Sequence, residues 1–327
     1  MRPSSYLRYS SSFTLHRQPT SAARATAIPP PRVSLAARHQ PWPSMSNPAA
    51  WNAVLEQYAR SQNPERELPK GVHLLSNSKC VTIFDGYEKA KYHFLVMPRY
   101  PFPLESSSSP SSASTSTSIS VPSSHLTSLE ALRKSPHCIP VLKALQEQAQ
   151  QVQEMIEEEM LKKEGWKWPV HIGFHARESM RHVHLHVISS DLISPKLKNK
   201  KHYNSFHPSL GFFLHLTKVI EQVEASRKDA NSTSSYENLL KLPLRSHYTG
   251  QQYPTIPKLK VHLEEEWERR GREERRRQAL LIKDGLKAPS DSEERDRGAD
   301  SVQGRAKKVK VDRTEEDVGA SSGDETI

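Results

Sequence analysis

His182-Val183-His184-Leu185-His186-Val187-Ile188 is the stretch on which the fold of this chain turns. Val183, Leu185 and Val187 alternate with three histidines, and a period of two marks a strand. The β-branched Val and Ile favour the same reading, whereas a helix would scatter the imidazoles over several faces. The alternation predicts all three imidazoles on one face, with the apolar side chains entering a core behind them. Unpaired buried imidazoles cost stability, so packing alone does not account for the row. Two chemistries use such a row. His-x-His on a strand is a common pair of zinc ligands. In the other, a neutral imidazole attacks phosphorus while its neighbours orient it and bind phosphate oxygens.

The flanking residues separate the two. Ser179 lies three residues before the first histidine and offers a donor to phosphate, and His175 stands where a hairpin would return it to the row. Lys196, Lys198, Lys200, Lys201 and His202 follow as a cationic loop suited to phosphates. No carboxylate lies within three residues of the row, and Asp191 comes five after His186. A metal site would more often recruit one, so the phosphate chemistry is preferred and no catalytic metal is expected.

Outward from the row, 51–60 (WNAVLEQYAR) reads as a short helix, and 80–84 (CVTIF) and 92–97 (YHFLVM) read as strands, with Asp85-Gly86 as a turn. Val141, Leu145, Ala149, Val152, Ile156 and Met160 recur every three or four residues, one apolar helical stripe that Gly165 ends. A strand pair is expected at about 168–190 and a helix at about 208–226. The serine- and threonine-rich stretch at about 104–128 cannot pack and is expected as a flexible insert. A polar linker is expected at 226–240, a small basic segment at 241–282 and a disordered tail at 283–327.

Residues 1–45 form a leader outside the fold. Its first 44 residues hold six arginines and no Asp, Glu or Lys, a composition suited to mitochondrial targeting. Pro29, Pro30 and Pro31 weigh against a presequence helix, and Met45 offers a second start, so a plain leader stays open. A hydrophobic share of 35% and a mean hydropathy of -0.72 place much of the 327-residue chain outside any core. The net charge of +10 favours polyanionic partners. Two cysteines, Cys80 and Cys138, exclude a disulfide framework. No run approaches the ~20 apolar residues of a membrane-spanning helix, so no membrane is expected among the partners. The basic run at 305–311 (RAKKVKV) is of nuclear-localisation type, and a nuclear destination is expected first.

HVHLHVI, with Ser179 before it, resembles the signature of the histidine-triad (HIT) superfamily. The longer run SMRHVHLHVISSDLISPKLKNKKHYNSF, with AKYHFLVMP upstream and LLKLPLRSH and IPKLKVHLEEEW downstream, is similar to the aprataxin branch of DNA-adenylate hydrolases, in its shorter, fungal-type form without an FHA domain. The resemblance covers about 51–103 and 166–270. It implies an α+β fold, an antiparallel HIT sheet with flanking helices over 46–225. It also implies a covalent mechanism in which His184 attacks the AMP phosphorus of a 5′-adenylated DNA end and water then releases AMP. His182 and His186 would hold the nucleophile's tautomer and contact phosphate, and His175 would assist the leaving group. Asp85 would meet the ribose, and Lys201 and His202 the DNA phosphate. Two alternatives remain. One is a general HIT phosphoramidase or dinucleoside polyphosphate hydrolase; the other is a nucleic-acid-binding module without catalysis.

The resemblance further implies a small zinc finger after the catalytic domain, and here the chain departs from the pattern. The two cysteine positions hold Ser246 and Thr249, while His262 and Glu266 remain on the following helix. One imidazole and one carboxylate do not replace two thiolates, and His247 points differently from the old cysteine beside it. The segment at 241–282 is therefore expected to be a degenerate, finger-like DNA-binding segment without structural zinc, held by Leu259, Leu263 and Trp267 and loosely ordered.

Overall fold

A computed structural model of the chain describes residues 48–104, 119–225 and 233–283. The leader, residues 105–118 of the insert, and the tail with its basic run lie outside the described residues. In chain order the elements are α1 (Pro48–Arg60), α2 (Pro64–Glu67), β1 (His73–Ser76), β2 (Cys80–Phe84), β3 (His93–Pro98), β4 (Phe102–Pro103) and β5 (Ser120–Val121). A 3₁₀ turn (Ser123–Leu126) leads into α3 (Leu129–Arg133), α4 (Cys138–Glu164), β6 (Val170–His175) and β7 (Leu185–Ser189). There follow α5 (Lys200–Phe206), β8 (Phe213–His215), α6 (Leu216–Glu224), α7 (Thr233–Leu239), β9 (Leu244–Arg245), β10 (Gln252–Tyr253) and α8 (Ile256–Lys283). The chain divides into two units, Met1–Glu274 and Arg275–Ile327; the sheet and the site belong to the first.

Six strands form one antiparallel sheet in the order β1-β2-β3-β7-β6-β8. Alternation gives it two unlike faces. On one, Phe94, Val96, Phe174, Leu185 and Val187 meet the apolar stripe of α4, whose Val141, Leu145, Ala149, Val152 and Ile156 are fully buried. Gly165, at φ 71, ends that helix in the left-handed conformation that glycine adopts without a steric penalty. The other face is covered in three zones. Val54, Leu55 and Tyr58 of α1 pack over Val81, Ile83, Leu95 and Met97 at one end. Tyr203, Leu244, Leu259 and Leu263 cover Ile188 at the other. Between them the sheet presents its histidines. Gly173, opposite His186, belongs to this face; a Cβ there would lie 2.5 Å from the Leu214 carbonyl and 2.6 Å from the Phe213 ring.

Four expectations change. The helix expected at about 208–226 is split: α5 comes earlier, and 213–215 is a strand that closes the sheet on β6 before α6 begins. Helical spacing is present only from Leu216, where Leu216, Val219, Ile220 and Val223 join the core. The insert ends sooner than 128, because Val121 and Leu126 are buried in the core. Its serine bias hides these two apolar anchors. The stretch expected as linker contains α7, with Tyr236 buried against Phe212. The segment at 241–282 is not loose: Leu259 and Leu263 are fully buried in a cluster shared with Tyr203 and Ile188. That shared core replaces the small separate one that the segment was expected to need.

Candidate active site

A cavity of about 530 Å³ opens over the central zone of the sheet. His175, His184 and His186 line it, as do Ser179, Asp85, Lys201 and His202. His182 does not line it.

The reason lies in the backbone. β7 begins at Leu185, and His182 sits before it at φ 91, so the alternation stops short of the first histidine. The ring of His182 is instead buried, its Nε2–H donating to the Pro98 carbonyl at 2.7 Å and its Nδ1 3.0 Å from the Tyr100 hydroxyl. Burial, outweighing the Pro98 bond, pushes its pKa down to about 4. The amides of His182 and Val183 donate to the carbonyls of Thr127 and Leu126 at 2.9 Å each. Residues expected in a flexible insert thus hold the turn into the histidine strand.

His182 acts on its neighbour through its carbonyl. Nδ1–H of His184 donates to the His182 oxygen at 2.8 Å. With its proton on Nδ1, neutral His184 keeps the Nε2 lone pair for the cavity, as a nucleophile requires.

A second chain of hydrogen bonds sets His186. The amide of Lys89 donates to Nδ1 of His93 at 3.2 Å, so neutral His93 carries its proton on Nε2. That Nε2 lies 3.0 Å from Nδ1 of His186 and 3.4 Å from Asp85 Oδ2. Donation to His186 leaves His186 with a proton on Nε2, a buried atom without a hydrogen-bond partner among the described residues. Nε2 of His175 is equally buried and unpartnered, its ring centroid 4.4 Å from that of His186. Burial holds the pKa of both imidazoles well below the ordinary range, and that of His93 at about 4. Phe206 wedges among the three, its centroid 4.5 to 5.1 Å from theirs, and keeps the cluster dry. The site thus sets the Nε2 of His184 on the cavity beside two buried imidazole nitrogens that have no hydrogen-bond partner among the described residues.

Asp85, His93 and His186 are the one trio of potential metal donors among the described residues. The Lys89 amide occupies Nδ1 of His93, so an ion at Nε2 would have to displace that ring's remaining proton. The geometry favours a hydrogen-bonded relay. Asp85 also accepts from the Tyr87 amide at 2.7 Å and so anchors the turn after β2. Asp191, five residues after His186, is buried away from the cavity and bonded to Trp168 Nε1 and the Lys91 amide.

Lys201 and His202 come from α5, where Asn199 caps the helix by accepting from the His202 amide. The rim also contains Arg177 and Glu237, paired with each other, and the exposed Lys241. Sequence reasoning missed His93, Phe206 and Lys241. His93 carried a signal, a histidine in step with Leu95 and Met97 on an otherwise apolar strand; Phe206 and Lys241 carried none, because long-range packing brings them here.

A family described as scavenger mRNA decapping enzyme C-term binding matches residues 110–202, and one described as a C2HE / C2H2 / C2HC zinc-binding finger matches 209–269. Aprataxin of Danio rerio is 37% identical over 213 residues, 65% of this chain and 52% of that protein. Aprataxin of Gallus gallus is 37% identical over 196 residues, 60% of this chain and 51% of that protein. The chain thus spans about half the length of these relatives. Among solved structures, the aprataxin ortholog Hnt3 in complex with DNA matches 67% of this chain and 95% of its own, with a TM-score of 0.49 and 24% identity.

Proposed function

Because the chain is an aprataxin-like protein of the histidine-triad superfamily, we propose that it is a hydrolase that removes AMP from 5′-adenylated DNA ends. The observation that carries this reading is the tautomer of His184, whose Nδ1–H is held by the His182 carbonyl so that Nε2 faces the cavity as a free nucleophile. In the first step that nitrogen bonds to the AMP phosphorus, and the bond from phosphorus to the bridging oxygen breaks. The DNA leaves with a 5′-phosphate and AMP remains on His184. In the second step water attacks the same phosphorus and the bond to nitrogen breaks. Dividing one displacement into two lowers each barrier.

His186, with its proton on Nε2, donates to a non-bridging phosphate oxygen and stabilises the charge that builds there. His175 lies beside the leaving oxygen and Ser179 supplies a further donor. Asp85 meets the AMP ribose. Lys198, Lys200, Lys201 and Lys241 are exposed, and they attract the polyanionic leaving group. No step needs a metal. The nuclear destination rests on the basic run at 305–311.

The test uses adenylated nicked DNA beside a small AMP–lysine conjugate. Wild type is expected to release AMP from the DNA and, after rapid quenching, to carry AMP on the peptide that holds His184. His184→Ala is expected to lose several orders of magnitude in rate. Turnover of the small conjugate alone would identify a general phosphoramidase, and DNA binding without turnover a non-catalytic module. An active His184→Ala enzyme would sink the mechanism.

A further inference from the structure

The finger family matching 209–269 is described as binding zinc, and the resemblance noted above puts its sulfur ligands where Ser246 and Thr249 stand. The chain's two cysteines, Cys80 and Cys138, are buried elsewhere in the catalytic core. The turn that would carry the ligands is nevertheless fully formed. The Ser246 amide donates to the Gln251 carbonyl at 2.8 Å, and the Gly250 amide to the Ser246 carbonyl at 2.7 Å. Gly250, at φ 74, takes the left-handed position that this closure requires.

Inside the turn, the buried Ser246 hydroxyl accepts from the amides of Tyr248 and Thr249 at 3.2 and 3.3 Å. Its own proton faces Nε2 of His262 at 3.0 Å, and the Thr249 hydroxyl lies 3.3 Å from the same nitrogen. Tyr253 stacks on the His262 ring with centroids 4.7 Å apart. The helix and the turn are therefore already clasped at the point where an ion would clasp them.

The donor set does not fit zinc. Two neutral hydroxyls lack the charge and softness of thiolates. The Glu266 carboxylate is engaged by Arg269 at 2.8 and 3.1 Å and lies 3.5 Å from Arg270. His247 points elsewhere, with its Nδ1 3.1 Å from the Tyr203 hydroxyl.

We propose that this segment is a finger that folds without metal, in which a hydrogen-bonded Ser246–His262–Thr249 cluster stands in the place of the ion. In a metal finger the binding energy of the ion is the folding energy. Here burial of Leu259 and Leu263 beside Tyr203, Ile188 and Leu244 supplies it, so the finger is a layer of the catalytic domain. The cluster sets the angle between turn and helix. A thiolate at 246 would accept the same two amide bonds as the hydroxyl does, so the backbone remains shaped for sulfur.

The test measures zinc content and thermal melting of the full chain, before and after dialysis against EDTA. Wild type is expected to retain no stoichiometric zinc and to melt at the same temperature in both states. The double variant S246C/T249C is expected to take up about one zinc per chain and to lose melting temperature when EDTA removes it. Ser246→Ala is expected to melt roughly 2–4 °C lower than wild type, since it removes the hydroxyl at the centre of the clasp. About one zinc per wild-type chain, lost in His262→Ala, overturns the proposal with no need for the cysteine variants. A double variant that takes up no zinc overturns the placement of the two hydroxyls at ligand positions. A Ser246→Ala protein that melts with wild type overturns the role of the cluster.

Discussion

At the scale of single residues, the site is governed by which nitrogen of each imidazole carries the proton. His184 and His186 both line the cavity, yet their hydrogen bonds favour opposite tautomers, which suit them to the opposite tasks of the proposed mechanism. A backbone carbonyl holds the proton of His184 on Nδ1, leaving a lone pair for attack. His93 holds the proton of His186 on Nε2, leaving a donor for phosphate. In the proposed mechanism His93 is a positioning residue, since it would reach the substrate only through His186. His93→Ala is expected to lower kcat roughly 10–100-fold with little change in KM, the order of effect that partners orienting metal-ligating histidines carry. Steady-state kinetics on adenylated DNA checks this; a large rise in KM at unchanged kcat would assign His93 to substrate binding instead.

At the scale of elements, α8 is attached to the catalytic domain through aromatic packing. Trp267 lies 5.2 and 5.8 Å, centroid to centroid, from Trp168 and Trp166, and the Lys91 ammonium stands 3.8 Å from its ring. Gly271, one turn later, lets Trp166 approach: a Cβ there would lie 2.7 Å from the indole nitrogen. In an exposed helix Gly→Ala stabilises by about 1 kcal/mol. Gly271→Ala is expected to have the opposite sign and lower the melting temperature, because Trp166 is buried and cannot withdraw. A stabilised variant would show that the helix shifts freely on the domain. Truncation tests the same attachment. Read from sequence alone, removal of everything after about 240 should spare hydrolysis of a small AMP conjugate. The structure gives a different expectation, since Leu244, Leu259 and Leu263 cover Tyr203 and Ile188. Each such leucine contributes about 1.5–3 kcal/mol. The truncated protein is expected to melt markedly lower and to lose activity on the small conjugate as well as on DNA; retained activity would restore the segment to independence.

At the scale of the whole molecule, several histidines are folded in neutral form, and this sets the acid limit of stability. Burial holds His93, His171 and His182 at about 4, against an unfolded value of about 6.5. Below pH 6.5 the unfolded chain takes up protons that the folded chain refuses until about pH 4, so stability falls through that window and flattens below it. Thermal melts between pH 7.5 and 4 are expected to show a progressive drop that begins near 6.5. A melting temperature constant down to pH 4.5 would contradict the burial of these rings. The loss is the structural cost of burying these rings uncharged.

Local pattern carried much of this protein. Alternation anticipated that His184 and His186 share a face, and both line the cavity although β7 itself begins at Leu185; the three-to-four spacing from Val141 to Met160 found α4, and the basic run found Lys201 and His202 at the cavity. These signals are legible because each depends on neighbours a few positions away along the chain. Alternation failed at His182, where a positive φ turns the ring out of the row. It also missed Leu126 and Val121, single apolar anchors inside a serine-rich stretch. The partner of His186 comes from 93 positions upstream, and the finger helix finds its core on Tyr203 and Ile188. Sequence determined which side chains are available for the proposed chemistry; only the tertiary structure set which nitrogen of His184 and His186 is held by a hydrogen bond, and what covers Leu259 and Leu263. Tautomers and burial are set by atoms in contact across the fold, and adjacency in space leaves no periodic trace in the chain.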